Sequence, residues 1–143
     1  MLIDPELPAG SSTPHPQRPS PHQFIYLGLW YLTSEMFQVV QYPELPGLYI
    51  LKLPQIQDFR QVLLEMDDYV IVMDAPPEQA PAVVDWARKN LGKPIGQVWP
   101  THHHHDHAFG VKTYSQAGAT VVVPEMAKEY YSNIPGIKFE TYM

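Results

Sequence analysis

The segment Thr101-His102-His103-His104-His105-Asp106-His107 places five histidines and one aspartate in seven consecutive residues. In an extended segment the side chains at i and i+2 point the same way, so His102 and His104 can present two imidazoles to one ion. Asp106 and His107 follow where the chain is predicted to turn into a helix, and that turn lets them aim at a neighbouring point. The segment therefore predicts a metal site.

The ligand types narrow the choice of metal. Imidazole and carboxylate without thiolate suit zinc, with iron and manganese as alternatives. The chain contains no cysteine, so it has neither a disulfide framework nor a cysteine nucleophile, and any metal must use nitrogen and oxygen ligands. A catalytic metal lowers the pKa of a bound water to about 7, which makes hydroxide available at neutral pH.

Spacing alone leaves the ligand register open, because His103, His105 and His107 are also two residues apart. A histidine cluster can also be an expression tag, a solvated histidine-rich loop, or a set of core histidines satisfied by hydrogen bonds. A tag would be terminal and uninterrupted, whereas this cluster is internal and contains Asp106. Its place between a predicted strand and a predicted helix also favours a metal site.

Hydrophobic periodicity divides the chain into a flexible proline-rich arm at residues 1–23 and one domain at residues 24–143. Helices are predicted over residues 78–91, about 106–116 and 124–131. Strands are predicted over residues 24–31, 37–42, 47–53, 69–73, 95–99 and 119–123, and a turn at Pro135-Gly136 leads into residues 138–142. The alternation of strands and helices is typical of an α/β layered domain.

Composition disfavours two classes of partner. The net charge of -6 provides no clustered Lys and Arg for a polyanion, so nucleic-acid binding is not expected. No apolar stretch approaches the roughly 20 residues that span a bilayer, and no signal peptide is evident. We expect a soluble, cytoplasmic protein that does not bind membranes.

The pattern Thr101-His102-x-His104-x-Asp106-His107 resembles the signature motif of the metallo-β-lactamase superfamily. The surroundings are similar too, because residues 70–74 form an apolar run that ends in Asp74, and Lys93-Pro94-Ile95 precedes the loop. The similarity covers about residues 47–123. It implies a metallo-β-lactamase-like αββα sandwich of the α/β (α+β layered) class, of which this chain is the first half only.

The resemblance settles the ligand register and assigns roles. It implies that His102 and His104 bind a first metal ion and that Asp106 and His107 bind a second, with Asp106 as the candidate catalytic residue. Asp74 would brace the ligand loop from the second shell of the site, as ligands generally need. The residues alone equally favour a turn-forming or helix-capping role for Asp74.

Two positions depart from the family pattern without removing a ligand. Ala108-Phe109-Gly110 stands where Gly-Gly is common after the motif. Pro76 stands in the turn after Asp74, where glycine is common.

The activity implied by the resemblance is that of a zinc-dependent hydrolase that attacks an ester, thioester, lactone or lactam by metal-bound hydroxide. The family takes further ligands from its C-terminal half, and no histidine follows His107. We therefore expect a truncated chain whose activity requires a C-terminal half. The alternative is an inactive fragment or a weak metal-binding or interaction module. A nuclease is disfavoured by the acidic balance.

Half of a sandwich should leave apolar sheet surface without a partner. The strands near residues 70–73 and 119–123 would be affected. If several hundred Å² of apolar surface stay exposed to water, the folding free energy loses several kcal/mol of stabilisation, at roughly 25 cal/mol per Å². We expect such a chain to self-associate through its exposed sheet surface, to recruit a partner, or to fold only partly. A small-molecule substrate is expected if the chain is active.

Overall fold

The computed structural model describes residues 32–76, 78–101 and 110–143. These residues form one seven-stranded sheet. Its strands are β1 (Gln38–Gln41), β2 (Leu48–Leu53), β3 (Ile56–Glu65), β4 (Val70–Met73), β5 (Ile95–Trp99), β6 (Thr120–Pro124) and β7 (Lys138–Tyr142). The helices in the same ranges are the α-helices α1 (Ala80–Leu91) and α2 (Gly110–Gln116) and the 3₁₀ helices η1 (Ser34–Met36) and η2 (Glu125–Tyr131).

Strand order in the sheet follows chain order. Strands β1 to β4 pair antiparallel, and β4 to β7 pair parallel. Parallel neighbours need a crossover connection, and here α1, α2 and η2 follow β4, β5 and β6 in turn. The carboxyl ends of β4, β5 and β6 therefore meet at one edge of the sheet, which we call the carboxyl edge.

The hydrophobic core lies between one face of the sheet and the helices. Residues paired side by side share a face, and one apolar row crosses six strands at Tyr49, Leu63, Val72, Val98, Val121 and Phe139. Trp86 of α1 packs edge-on against Tyr49, with ring centroids 5.5 Å apart. Val111 and Tyr114 of α2 are fully buried in the same cluster. These contacts fix both helices on this face.

The opposite face carries a second apolar row, which crosses five strands at Val40, Ile50, Val62, Met73 and Trp99. All five side chains are only half-buried, and the Trp99 ring stacks on Tyr142 at a centroid distance of 6.3 Å. Every buried apolar residue of the described α1, α2 and η2 belongs instead to the core cluster of the first face. The predicted self-association through exposed sheet surface stays a prediction.

Most predicted elements are confirmed where the structure describes them. The predicted helix at 78–91 begins at Ala80, and Gly92 ends it in a left-handed conformation (φ 66°) with its N–H donated to the carbonyl of Arg88. The predicted helix at 124–131 is 3₁₀ rather than α. The predicted arm at residues 1–23, the predicted strand at 24–31 and residues 106–109 lie outside the described residues.

Strand β3 has no counterpart among the sequence predictions. Its burial alternates around Phe59, Gln61 and Leu63, so a polar residue occupies a core position in the middle of the strand. Asp58 and Arg60, on either side of Phe59, are exposed. The apolar alternation that marks a strand is therefore interrupted at the place where it would be recognised.

Lys93 connects the start of β5 to the end of β3. Its Nζ donates to Glu65 Oε2 at 2.7 Å and to the carbonyl of Met66 at 2.8 Å. The Tyr49 hydroxyl donates to the other Glu65 oxygen at 3.0 Å. The hydrogen bonds from Lys93 and then Tyr49 lower the pKa of Glu65 from its ordinary value of 4.5.

This shift predicts an acid-dependent loss of stability. Because the folded-state pKa of Glu65 lies below its unfolded value, the stabilisation is present above about pH 4.5 and is lost as the pH falls through the folded pKa. We expect Glu65→Gln to lower the free energy of unfolding at pH 7 by about 1 kcal/mol and to flatten the acid limb of the melting temperature. The exposed Glu44 provides the control variant Glu44→Gln; an equal change in that variant would contradict the assignment.

Candidate metal centre

Asp74 is the first residue after β4 and has an unusual backbone conformation. Its φ of 74° makes it the sole non-glycine residue with a positive φ in the described ranges. The left-handed region costs about 1–2 kcal/mol for most residues, although aspartate visits it more readily than most. The Asp74 N–H donates to the carbonyl of Trp99 at 2.9 Å, which holds the end of β4 against the end of β5.

The carboxylate of Asp74 is bonded to the residue that precedes the histidine segment. Asp74 Oδ1 accepts a hydrogen bond from the Thr101 backbone N–H at 2.8 Å and from the Thr101 hydroxyl at 2.7 Å. Hydrogen bonds to an ionised acceptor are about twice as strong as neutral ones. Asp74 does not cap α1, whose N-cap is Gln79. The bracing role implied for Asp74 has the geometry it needs and stays a prediction.

Gly110, the first residue after segment 102–109, is bonded to the connection between β4 and α1, just after Asp74. Its N–H donates to the carbonyl of Ala75 at 2.9 Å. A Cβ at this position would lie 2.4 Å from the Ala75 oxygen and 2.9 Å from the Pro76 oxygen. Both distances are below any normal contact, so this approach of α2 to the connection after β4 requires glycine.

The residues on either side of segment 102–109 are therefore held by two adjacent residues, Asp74 and Ala75. Thr101 is bonded to Asp74 and Gly110 to Ala75, at the carboxyl edge where ligands bind in many α/β sheets. His102, His104, Asp106 and His107 lie in this segment, outside the described residues, and their roles stay predictions. Within the described ranges, no group of three or more His, Cys, Asp and Glu side chains could hold a metal ion.

Gln61 reaches the same connection from β3, and the sequence predictions missed it. Its side chain is fully buried, and its Nε2 donates to the carbonyl of Met73 at 2.7 Å and to that of Asp74 at 3.2 Å. The sequence signal for this residue is a polar side chain between two apolar ones that belong to the core. That signal becomes visible only after β3 itself is recognised.

Tyr131 contributes a buried phenol to this region. Burial first, then Tyr130, and then the charge of Asp74 raise the pKa of Tyr131 to about 12. The hydroxyl is therefore protonated at neutral pH and can act as a hydrogen-bond donor. Tyr131 belongs to the core cluster, so η2 is anchored to the sheet close to the carboxyl edge.

The comparisons with known proteins agree with this architecture. The family model of the metallo-beta-lactamase superfamily matches residues 61–139, which is more than half of the chain and includes Gln61, Asp74, Thr101 and Gly110. No curated protein matches the chain. None of the helices in the described residues is long and apolar enough to cross a membrane.

Solved structures show the same fold. A metallo-beta-lactamase from Hirschia baltica is 20% identical with a TM-score of 0.53, and the match covers 75% of this chain and 52% of that one. A metallo-beta-lactamase from Pontibacter korlensis is 18% identical with a TM-score of 0.57, and the match covers 75% of this chain and 54% of that one. The metallo-beta-lactamase FIM-1 from Pseudomonas aeruginosa, in its mono-zinc form, is 17% identical with a TM-score of 0.56, and the match covers 75% of this chain and 50% of that one.

The chain thus spans about half the length of the solved structures it matches. It forms a sheet of mixed parallel and antiparallel strands with helices on one face, an α/β fold that the sequence predicted as the first half of an αββα sandwich. Because the family model matches more than half of the sequence and the fold agrees with it, the chain belongs to the metallo-beta-lactamase superfamily.

Proposed function

We propose that this chain carries the metal-binding half of a zinc-dependent hydrolase. His102 and His104 are the ligands of a first zinc ion, and Asp106 and His107 are ligands of a second. The observation that carries the proposal is that the two residues flanking segment 102–109, Thr101 and Gly110, are hydrogen-bonded to the adjacent residues Asp74 and Ala75. Ligands on a segment held at both ends lose less conformational freedom when a metal binds.

The donor set of the segment suits this metal. Imidazole nitrogen and carboxylate oxygen are ordinary zinc ligands, and iron or manganese would also accept them. When bound, zinc supplies a Lewis acid that polarises a carbonyl and lowers the pKa of a coordinated water. In this chain Asp106 is the candidate catalytic residue at the metal, and Asp74 orients the ligand segment through Thr101.

The substrate class proposed is a small molecule with an ester, thioester, lactone or lactam bond. Superfamily membership supports a metal-dependent hydrolase in general. The bond that is cleaved stays part of the proposal, because specificity depends on the site rather than on the fold.

A second candidate is a weak metal-binding or interaction module without activity. One observation favours it: the row from Val40 to Trp99 leaves five half-buried apolar side chains on one face. Turnover of a chromogenic lactam or ester by the zinc-loaded chain together with a matching C-terminal half, abolished by His104→Ala, would favour the hydrolase. Zinc binding without such turnover would favour the module.

The ligand register gives the first test of the proposed function. We expect His102→Ala and His104→Ala to weaken zinc binding by more than the roughly 10–100-fold that loss of an outer-shell residue causes, because each removes a direct ligand. Zinc affinity is measured by competition with a chromogenic chelator.

The neighbouring histidines supply matched controls. His103→Ala and His105→Ala remove the same side chain from the same segment, and we expect them to retain the affinity of the parent chain. Equal losses in all four variants would contradict the register. Unchanged affinity in His102→Ala and His104→Ala would contradict the metal site.

The contact of Gly110 with Ala75 gives a second test. In Gly110→Ala the added methyl group collides with the Ala75 carbonyl, so α2 must move away from the connection after β4. We expect the free energy of unfolding to fall by about 1–3 kcal/mol and zinc affinity to fall with it. Lys112→Ala, at an exposed position of the same helix, is the control; a Gly110→Ala variant as stable as the control would show that the contact is not required.

A further inference from the structure

Gln61 is a polar residue whose side chain is buried among apolar core residues. Gln61 pairs with Leu51 across β2 and lies between Phe59 and Leu63 on the same face of β3. Its relative exposure is 0%. Glutamine is mostly found at the surface, and a methionine or leucine would fill a similar volume here without a polar group.

Burial of this amide is only partly compensated. The two Nε2 hydrogen bonds, to the carbonyls of Met73 and Asp74, use its donor capacity. Gln61 Oε1 has no hydrogen-bond partner among the described residues. A buried polar atom without a partner is costly, so the amide does not serve stability alone. The two N–H groups of its Nε2 fix two consecutive carbonyls at the end of β4.

Those two carbonyls flank the strained position. The Met73 carbonyl belongs to the peptide that enters Asp74, and the Asp74 carbonyl belongs to the peptide that leaves it. With both held by one side chain, the left-handed φ of Asp74 is set from the core. The direction of the Cα–Cβ bond follows from this backbone conformation, and with it the position of the carboxylate that receives both hydrogen bonds from Thr101.

We propose that Gln61 is a positioning residue that holds the Asp74 carboxylate against Thr101 and thereby fixes the start of the ligand segment. The consequence for metal binding rests on the proposed function. The bracing of Thr101 does not. The relay runs from the Gln61 amide to the Asp74 backbone, from the Asp74 carboxylate to Thr101, and from Thr101 directly to His102.

The test is the variant Gln61→Met, which preserves the volume and removes the two donors. Amide hydrogen exchange at Thr101, measured by NMR on the metal-free full chain, reports the Asp74–Thr101 hydrogen bond. Zinc affinity, measured by chelator competition, reports the ligand segment. We expect faster exchange at Thr101 and a loss of about tenfold in zinc affinity, the lower end of the range for outer-shell residues.

Two controls separate positioning from stability. Gln79→Met removes another buried glutamine, which lies at the start of α1 and whose Oε1 also lacks a partner in the described part of the chain. Leu63→Val destabilises the same face of the same strand as Gln61. Both should leave Thr101 exchange and zinc affinity at parental values after correction for global unfolding. If Leu63→Val reproduces the effects of Gln61→Met at equal loss of melting temperature, the positioning role is overturned.

A double variant tests the route through Asp74. Asp74→Gly tolerates the left-handed conformation and removes the carboxylate that accepts both hydrogen bonds from Thr101. We expect Gln61→Met to add little further loss of zinc affinity in that background, since the relay is already broken. A full additional tenfold loss would overturn the relay.

The remaining outcomes are also decisive. Absence of His104-dependent zinc binding in the parent chain would overturn the proposed function, and the Thr101 exchange rate would then decide the Gln61 assignment by itself. Parental exchange at Thr101 in Gln61→Met would overturn the Gln61 assignment even if zinc binds. If neither Gln61→Met nor Gln61→Leu melts cooperatively, the amide is required for the fold and the assignment of a local role is wrong.

Discussion

The paired hydrogen bonds from Thr101 to Asp74 Oδ1 connect the end of β4 to the start of the predicted ligand segment. They join the residue after β4 to the second residue after β5, and they depend on a left-handed backbone at Asp74, a conformation that costs about 1–2 kcal/mol for most residues and less for aspartate. Charge-assisted bonds to two donors offset that cost. The strain is local, and it lies next to the predicted metal ligands, as strained residues often do.

Three other features of the fold hold Asp74 and Thr101 in position. The row of core residues from Tyr49 to Phe139 fixes the register of six strands and aligns the ends of β4 and β5. Gln61 fixes the peptides on both sides of Asp74 from within that core. Gly110 holds the start of α2 against Ala75. Thr101 and Gly110 are thus both bonded to the residues that follow β4. Each support acts over a long sequence separation.

That separation explains how much the sequence could predict. Strands β2, β4, β5 and β6 and helix α1 follow from local apolar runs. The role expected of Asp74 comes from the resemblance to a family motif and stays a prediction. The contacts of Gln61 with Asp74 and of Gly110 with Ala75 join residues that are 13 and 35 positions apart, by their numbers, and no local pattern reports them. β3 was missed for the related reason that its core position at Gln61 is polar. Spacing does not decide between His102 and His104 on one side and His103 and His105 on the other, and that choice rests on the family motif.

We propose that the segment between Thr101 and Gly110 binds zinc at the carboxyl edge of the sheet. The most direct measurement is an anomalous difference map at the zinc absorption edge, from crystals of the zinc-loaded chain. We expect a peak bonded to ring nitrogens of His102 and His104, with Thr101 still bonded to Asp74. A peak on His103 and His105, or zinc bound away from the ends of β4 and β5, would contradict it.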